Sequence, residues 1–143
     1  MIIRFKQKFS LPVEDIFTYF KTPADWARLF GLAADVKNLG GGWYAVPLKQ
    51  FPFPLVARNT EQKTNELARW AFRGFWRGQG EVRFTETPDG TVVEGYEEIS
   101  IRWLFFFSPL VERLFLERRF HSVWGVGWYR LRKREALIEA NVV

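Results

Sequence analysis

Residues 108–139 read SPLVERLFLERRFHSVWGVGWYRLRKREALIE, and this stretch decides the architecture. Ser108 offers a side-chain cap, and Pro109 suits a first helical position because its missing N–H would have no partner there anyway. Counting in threes and fours from Leu110 puts Leu114, Phe120, Trp124, Gly127, Trp128, Leu131 and Ile138 on one stripe, the spacing of a helix with a single apolar face. About 30 residues at roughly 1.5 Å each make a rod of about 45 Å, long enough to cross a whole sheet. Gly125 and Gly127 fall inside it, where each costs up to about 1 kcal/mol relative to Ala. Close approach to the sheet, room for a ligand beside Trp124 and Trp128, or a kink would compensate.

The partner of that helix lies upstream. From residue 34 to 107 the helical period disappears and strand-like pieces alternate with turn signals: 35–39, 43–50, 55–66, 68–77, 81–86 and 91–105. Breaks come at Gly40-Gly41-Gly42, Phe51-Pro52-Phe53-Pro54, Gly78-Gln79-Gly80 and Pro88-Asp89-Gly90, all rich in residues that permit positive φ or deny a ladder donor. Such a meander forms an antiparallel sheet with one face covered. Asp89-Gly90 between two alternating runs is its strongest hairpin signal.

At the N-terminus, Ile3, Phe5 and Phe9 alternate with Arg4, Lys6 and Lys8, which predicts a half-buried first strand. Val13, Ile16, Phe17 and Phe20 then fall at helical spacing, with Glu14 and Asp15 where the dipole favours acids. Thr22-Pro23-Ala24-Asp25 opens a second short helix that buries Trp26, Leu29 and Phe30 and stops at Gly31. The class is therefore α+β: one strand, two short helices, a long antiparallel meander and one long C-terminal helix.

The 143 residues make a single domain, 1–143, with a sizeable core. A hydrophobic fraction of 48% with 18% aromatic residues excludes disordered, collagenous and coiled-coil chains. No cysteine is present, which excludes disulfide, thiolate and zinc-finger chemistry, and one histidine precludes a histidine-rich metal site. No metal and no cofactor is expected. The formal charge of +5 permits anionic partners without naming one, and few thermolabile residues fit a thermophilic source. The N-terminus is too charged for a signal peptide, and the apolar runs are too short for a membrane helix, so the cytoplasm is the default location.

The order of elements resembles the helix-grip superfamily of START lipid-transfer domains, birch-pollen-allergen-like proteins and bacterial polyketide cyclase/dehydrase-like proteins. It is carried by the first strand running into Ser10-Leu11-Pro12-Val13-Glu14-Asp15-Ile16-Phe17, by Thr22-Pro23-Ala24-Asp25-Trp26, by Gly78-Gln79-Gly80 and by Asp89-Gly90-Thr91. The resemblance implies a curved antiparallel sheet of six or seven strands wrapped around the C-terminal helix. It also implies an apolar cavity between them for a lipid-like or aromatic, polyketide-like molecule. Some members are cyclases or hydrolases, but no shared catalytic signature transfers residue by residue.

Within that frame the ligand-facing candidates are Trp70, Phe72 and Trp76 on one strand face with Phe84 continuing it, and Phe120, Trp124 and Trp128 on the helix. Gly74 between large rings leaves space near the backbone. Any one ring is more often core than lining, whereas pockets are walled mostly by such rings with a few polar groups. The polar candidates are Glu97, His121 and Glu117. Arg113, Glu117 and His121 are spaced four apart on the helix, which also suits a plain ladder worth about 0.3 to 0.5 kcal/mol per pair. If Val93, Ile99 and Ile101 face inward, Glu97 does too, and a carboxylate–histidine pair in a dry pocket suits acid–base work. The run 103–107, Trp-Leu-Phe-Phe-Phe, cannot alternate without exposing rings. Together with Val111, Phe115, Val126 and Tyr129 it suggests a dimer interface, a transient membrane-surface contact or a pocket entrance, or else packing on the 51–54 loop.

The leading reading is binding or transport of a hydrophobic small molecule in a closed or gated apolar cavity of a few hundred Å³, by a monomer or homodimer. A cyclase/dehydratase-type enzyme in the same pocket is the alternative. A third reading is a surface for RNA, without sequence specificity, or for anionic membranes: Arg69, Arg73 and Arg77 beside Phe75, with Arg130, Arg132, Lys133 and Arg134 adding charge.

Overall fold

A computed structural model describes residues 1–32, 35–48, 53–101 and 109–141, with helix side chains described over 118–140. Residues 51–52 and 103–108, and the side chains of Leu110, Val111, Arg113, Leu114, Phe115 and Glu117, lie outside the described residues.

Strand β1 (Ile2–Phe9) buries Ile3 and Phe9 and exposes Arg4, Lys6 and Lys8, as its alternation requires. Helix α1 (Val13–Phe17) continues through a 3₁₀ turn (Thr18–Phe20) to α2 (Pro23–Leu29). At the α2 start, Thr22 accepts from the Asp25 backbone N–H at 3.2 Å and donates to the Asp25 carboxylate at 2.9 Å, a reciprocal cap. Gly31 ends the helix at φ +76°, a conformation that costs glycine nothing.

The meander is β2 (Lys37–Gly40), β3 (Trp43–Val46), β4 (Leu55–Lys63), β5 (Leu67–Arg73), β6 (Trp76–Thr87) and β7 (Gly90–Ile101), followed by α3 (Pro109–Asn141). The curved seven-stranded sheet runs β1-β7-β6-β5-β4-β3-β2, every neighbouring pair antiparallel. Among the described residues no helix is long and apolar enough to cross a membrane.

Two local expectations are corrected. The piece 68–77 is not one strand: a two-residue turn at Gly74 and Phe75 divides β5 from β6, with Gly74 at φ +91°. Gly74 therefore makes the turn and does not sit between rings; a Cβ there would meet nothing within 4 Å. Conversely, Gly78-Gln79-Gly80 is no break but the middle of β6. A Cβ at Gly80 would fall inside the Trp70 indole, so this glycine serves a close approach rather than a turn. Hairpin β6–β7 forms where expected, with Thr87 opposite Gly90 across Pro88 and Asp89.

Helix α3 grips the sheet through rings. Phe120 meets Trp76 edge-on at 5.4 Å, Trp124 stacks on Phe5 at 4.3 Å, and Trp128 reaches Phe9 at 6.1 Å. Its C-terminal half is pinned by polar contacts: Glu135 accepts from the Ser10 backbone N–H at 2.9 Å, and Glu139 accepts from the Ser10 hydroxyl at 2.8 Å. Arg132 donates to the Lys8 carbonyl and lies over the Phe9 ring at 4.3 Å, while Arg130 donates to the Arg28 carbonyl at 2.9 Å. The two helix glycines differ in kind. Gly127 is where the Phe30 ring touches the helix, so the close approach is to the end of α2 and not to the sheet. Gly125 is exposed and faces open space.

Candidate functional site

The same alternation that buries Val93 and Ile99 in β7 carries Glu97 inward. The register places Ile3, Glu97, Gly80 and Trp70 side by side across β1, β7, β6 and β5. Glu97 and Trp70 are therefore two strands apart, roughly 9 to 10 Å between backbones, with only a glycine between them. The Trp70 indole lies over Gly80 and its N–H donates to the Glu97 carboxylate, as does the N–H of Trp124 from α3. Burial pushes the Glu97 carboxyl up to about 7, and the two indole donors restrain the rise.

Glu97 forms part of the wall of a cavity of about 30 Å³ between the sheet, α2 and α3. The rest of its described wall is apolar apart from indole N–H groups: Phe20, Trp26, Phe30, Leu55, Phe120 and neighbours. Phe30, Leu32, Leu48, Phe120 and Val123 also border a larger open groove of about 590 Å³, whose far side carries Arg118, Arg119, Ser122, Val126 and Arg130. The inner cavity and the outer groove thus lie side by side and share these five wall residues. Among the described residues the space of that order is the open groove, and the inner cavity is narrowed by stacked rings, with Trp124 against Trp128 at 5.3 Å and edge-on to Phe30 at 4.9 Å.

Of the residues singled out in the sequence, Trp70, Glu97, Phe120 and Trp124 meet at this cavity. Four others are packed elsewhere. Phe84 sits edge-on to Phe17 and Phe20, each at 5.6 Å, and Phe72 is buried in the core. Trp76 is fully buried, with its N–H donating to the Phe53 carbonyl at 3.3 Å, and Trp128 stacks among Phe5, Phe9 and Trp124. His121 is exposed while Glu97 is buried, so the structure does not bring that pair together; Glu117 lies outside the described side chains. Trp26, Phe30, Leu48 and Leu55 were missed. Helical spacing had marked Trp26 and Phe30 as buried, but nothing local says that they face the same space as Glu97.

On the outer sheet face Arg69 and Arg73 are engaged. Arg69 bridges Glu61 and Glu81, each at 2.6 Å, and Arg73 lies 4.0 Å over the Trp43 ring. Phe75 stacks on Phe53 at 4.1 Å, so the ring that a base would stack on is already covered. No group of three acidic or histidine side chains among the described residues could hold a metal ion.

No family model and no curated relative matches the chain. Solved structures do. The protein XoxI from Bacillus cereus superposes with a TM-score of 0.72 at 10% identity, covering 96% of this chain and 97% of that one. The di-domain ARO/CYC StfQ from the steffimycin biosynthetic pathway gives 0.68 at 14% identity over 98% of this chain; the match spans about half of StfQ, 51%. Aha1 from Colwellia psychrerythraea, solved as a dimer, gives 0.64 at 12% identity, covering 94% and 96%. At such identities these similarities establish the helix-grip fold.

Proposed function

We propose that this protein binds a hydrophobic small molecule between the sheet and α3, its apolar body in the groove beside Phe30, Leu48 and Val123 and its inner end in the cavity at Glu97. One observation carries the reading: a buried carboxyl with no cationic partner among the described residues, walled by aromatic rings and set beside an open groove. A carboxyl placed there is costly to fold around, and a packed core alone has no use for it. Pockets of this kind combine apolar walls with a few fixed polar groups. The fold shared with StfQ, an ARO/CYC protein, fits this reading.

Native mass spectrometry of protein purified without organic extraction tests it. A non-covalent adduct of a lipid-like or aromatic molecule, lost on extraction, is the expected result. An unliganded mass, together with no saturable uptake of the uncharged dye N-phenyl-1-naphthylamine, would contradict it.

A cyclase or dehydratase reaction is a second reading, favoured by Glu97 alone: a carboxyl raised to about 7 is poised to give and take a proton at neutral pH. Turnover of an aromatic polyketide-like substrate that Glu97→Gln abolishes would establish it.

A further inference from the structure

The inner cavity has a second polar feature besides Glu97. Trp26 forms part of its wall, is 6% exposed, and has an indole N–H that is buried without a hydrogen-bond partner. Buried donors are almost always paired, and an unmet one costs about 1 to 3 kcal/mol. Its neighbours Trp70 and Trp124 spend their N–H groups on Glu97. Among the described wall residues every remaining side chain is hydrocarbon. The polar groups of the described wall are therefore one unused N–H and one carboxyl beside the two indoles that face it.

Size narrows the ligand further. About 30 Å³ is room for roughly two water-sized atoms, so only the tip of a ligand enters it. An ammonium would satisfy the carboxyl but leave Trp26 unmet, because it carries no acceptor. A carboxylate would carry its charge into an apolar space with no cation among the described wall residues, which is costly. A carbonyl fits both walls: two atoms, uncharged, with two lone pairs on its oxygen.

We propose that the inner cavity takes the carbonyl oxygen of an otherwise apolar ligand, with Trp26 Nε1–H and the Glu97 carboxyl as its two polar partners. This rests on the ligand-binding reading above and adds the chemical class of the ligand. The raised carboxyl supports it, since Glu97 holds its proton up to neutral pH. Among the described residues no other titratable group lines the cavity; β1, β6, β5, α2 and α3 present Ile3, Gly80, Trp70, Trp26 and Trp124 towards Glu97. The charges beyond it are Arg118, Arg119 and Arg130 of the outer groove.

Isothermal titration calorimetry with three probes of one chain length, 2-nonanone, 2-nonanol and nonylammonium, tests the assignment on the wild-type protein. The ketone should bind best, and its affinity should fall about tenfold or more between pH 6 and pH 8.5 as Glu97 loses its proton. Glu97→Gln, which keeps a donor, should hold the ketone at both pH values, and Trp26→Phe should weaken it about fivefold. The wild-type pH profile decides the matter even if a variant misfolds. Equal affinities for the three probes with no pH dependence would overturn the carbonyl assignment while leaving the apolar site intact. Preference for nonylammonium would overturn it in favour of a cation site, and binding of no probe would overturn both readings.

Discussion

Glu97 is the residue around which the rest is arranged. Its carboxyl titrates at about 7 when folded, against 4.5 for an ordinary glutamate. Between those values the native state holds a proton that the unfolded chain has released, so stability is full below about pH 4.5 and falls as pH rises to about 7. The loss amounts to at most about 3 kcal/mol. Urea denaturation from pH 4.5 to 8 should show this decline in the wild type and a flat line in Glu97→Gln. Trp70 depends on its neighbour in the same way: Gly80→Ala drives a methyl group into the indole and should cost about 1 to 3 kcal/mol, with a shift in tryptophan fluorescence. That Glu97 faces inward was legible from the alternation of Val93, Ile99 and Glu97. That it meets two indoles and not His121 was not, because cross-strand register and helix rotation are set by packing between distant segments.

At the scale of elements, α3 carries two glycines that look equivalent in sequence and differ in the fold. Gly127 receives the Phe30 ring, whereas Gly125 faces open space. Gly125→Ala should therefore stabilise by about 1 kcal/mol through helix propensity, and Gly127→Ala should destabilise by about 1 to 3 kcal/mol through overpacking. Thermal unfolding of the two variants separates them by sign. Caps and alternation made the elements readable: Thr22 caps α2 as its sequence says, and β1 alternates. The β5–β6 boundary was not readable, because a glycine that turns the chain and a glycine that admits a ring are the same letter. Gly74 does the first and Gly80 the second.

For the molecule as a whole, the fold follows from the order of its elements, and solved structures with 10 to 14% identity share it. Its abundant rings look in sequence like the walls of a roomy pocket. Instead many of them stack on one another, and the described residues leave a small polar-tipped cavity beside an open groove. Ring count alone does not distinguish lining from filling; only the pairing of rings in space does. The central claim is that an apolar ligand enters between sheet and α3 and ends at Glu97. Indole ¹H–¹⁵N spectra read it directly, because the cavity is bordered by Trp26, Trp70 and Trp124 while Trp43 stands on the outer face under Arg58 and Arg73. Titration with 2-nonanone at pH 6 should move the Trp26, Trp70 and Trp124 signals saturably, Trp26 most, and leave Trp43 in place. Saturable movement of Trp43 with the three cavity indoles unchanged would contradict it.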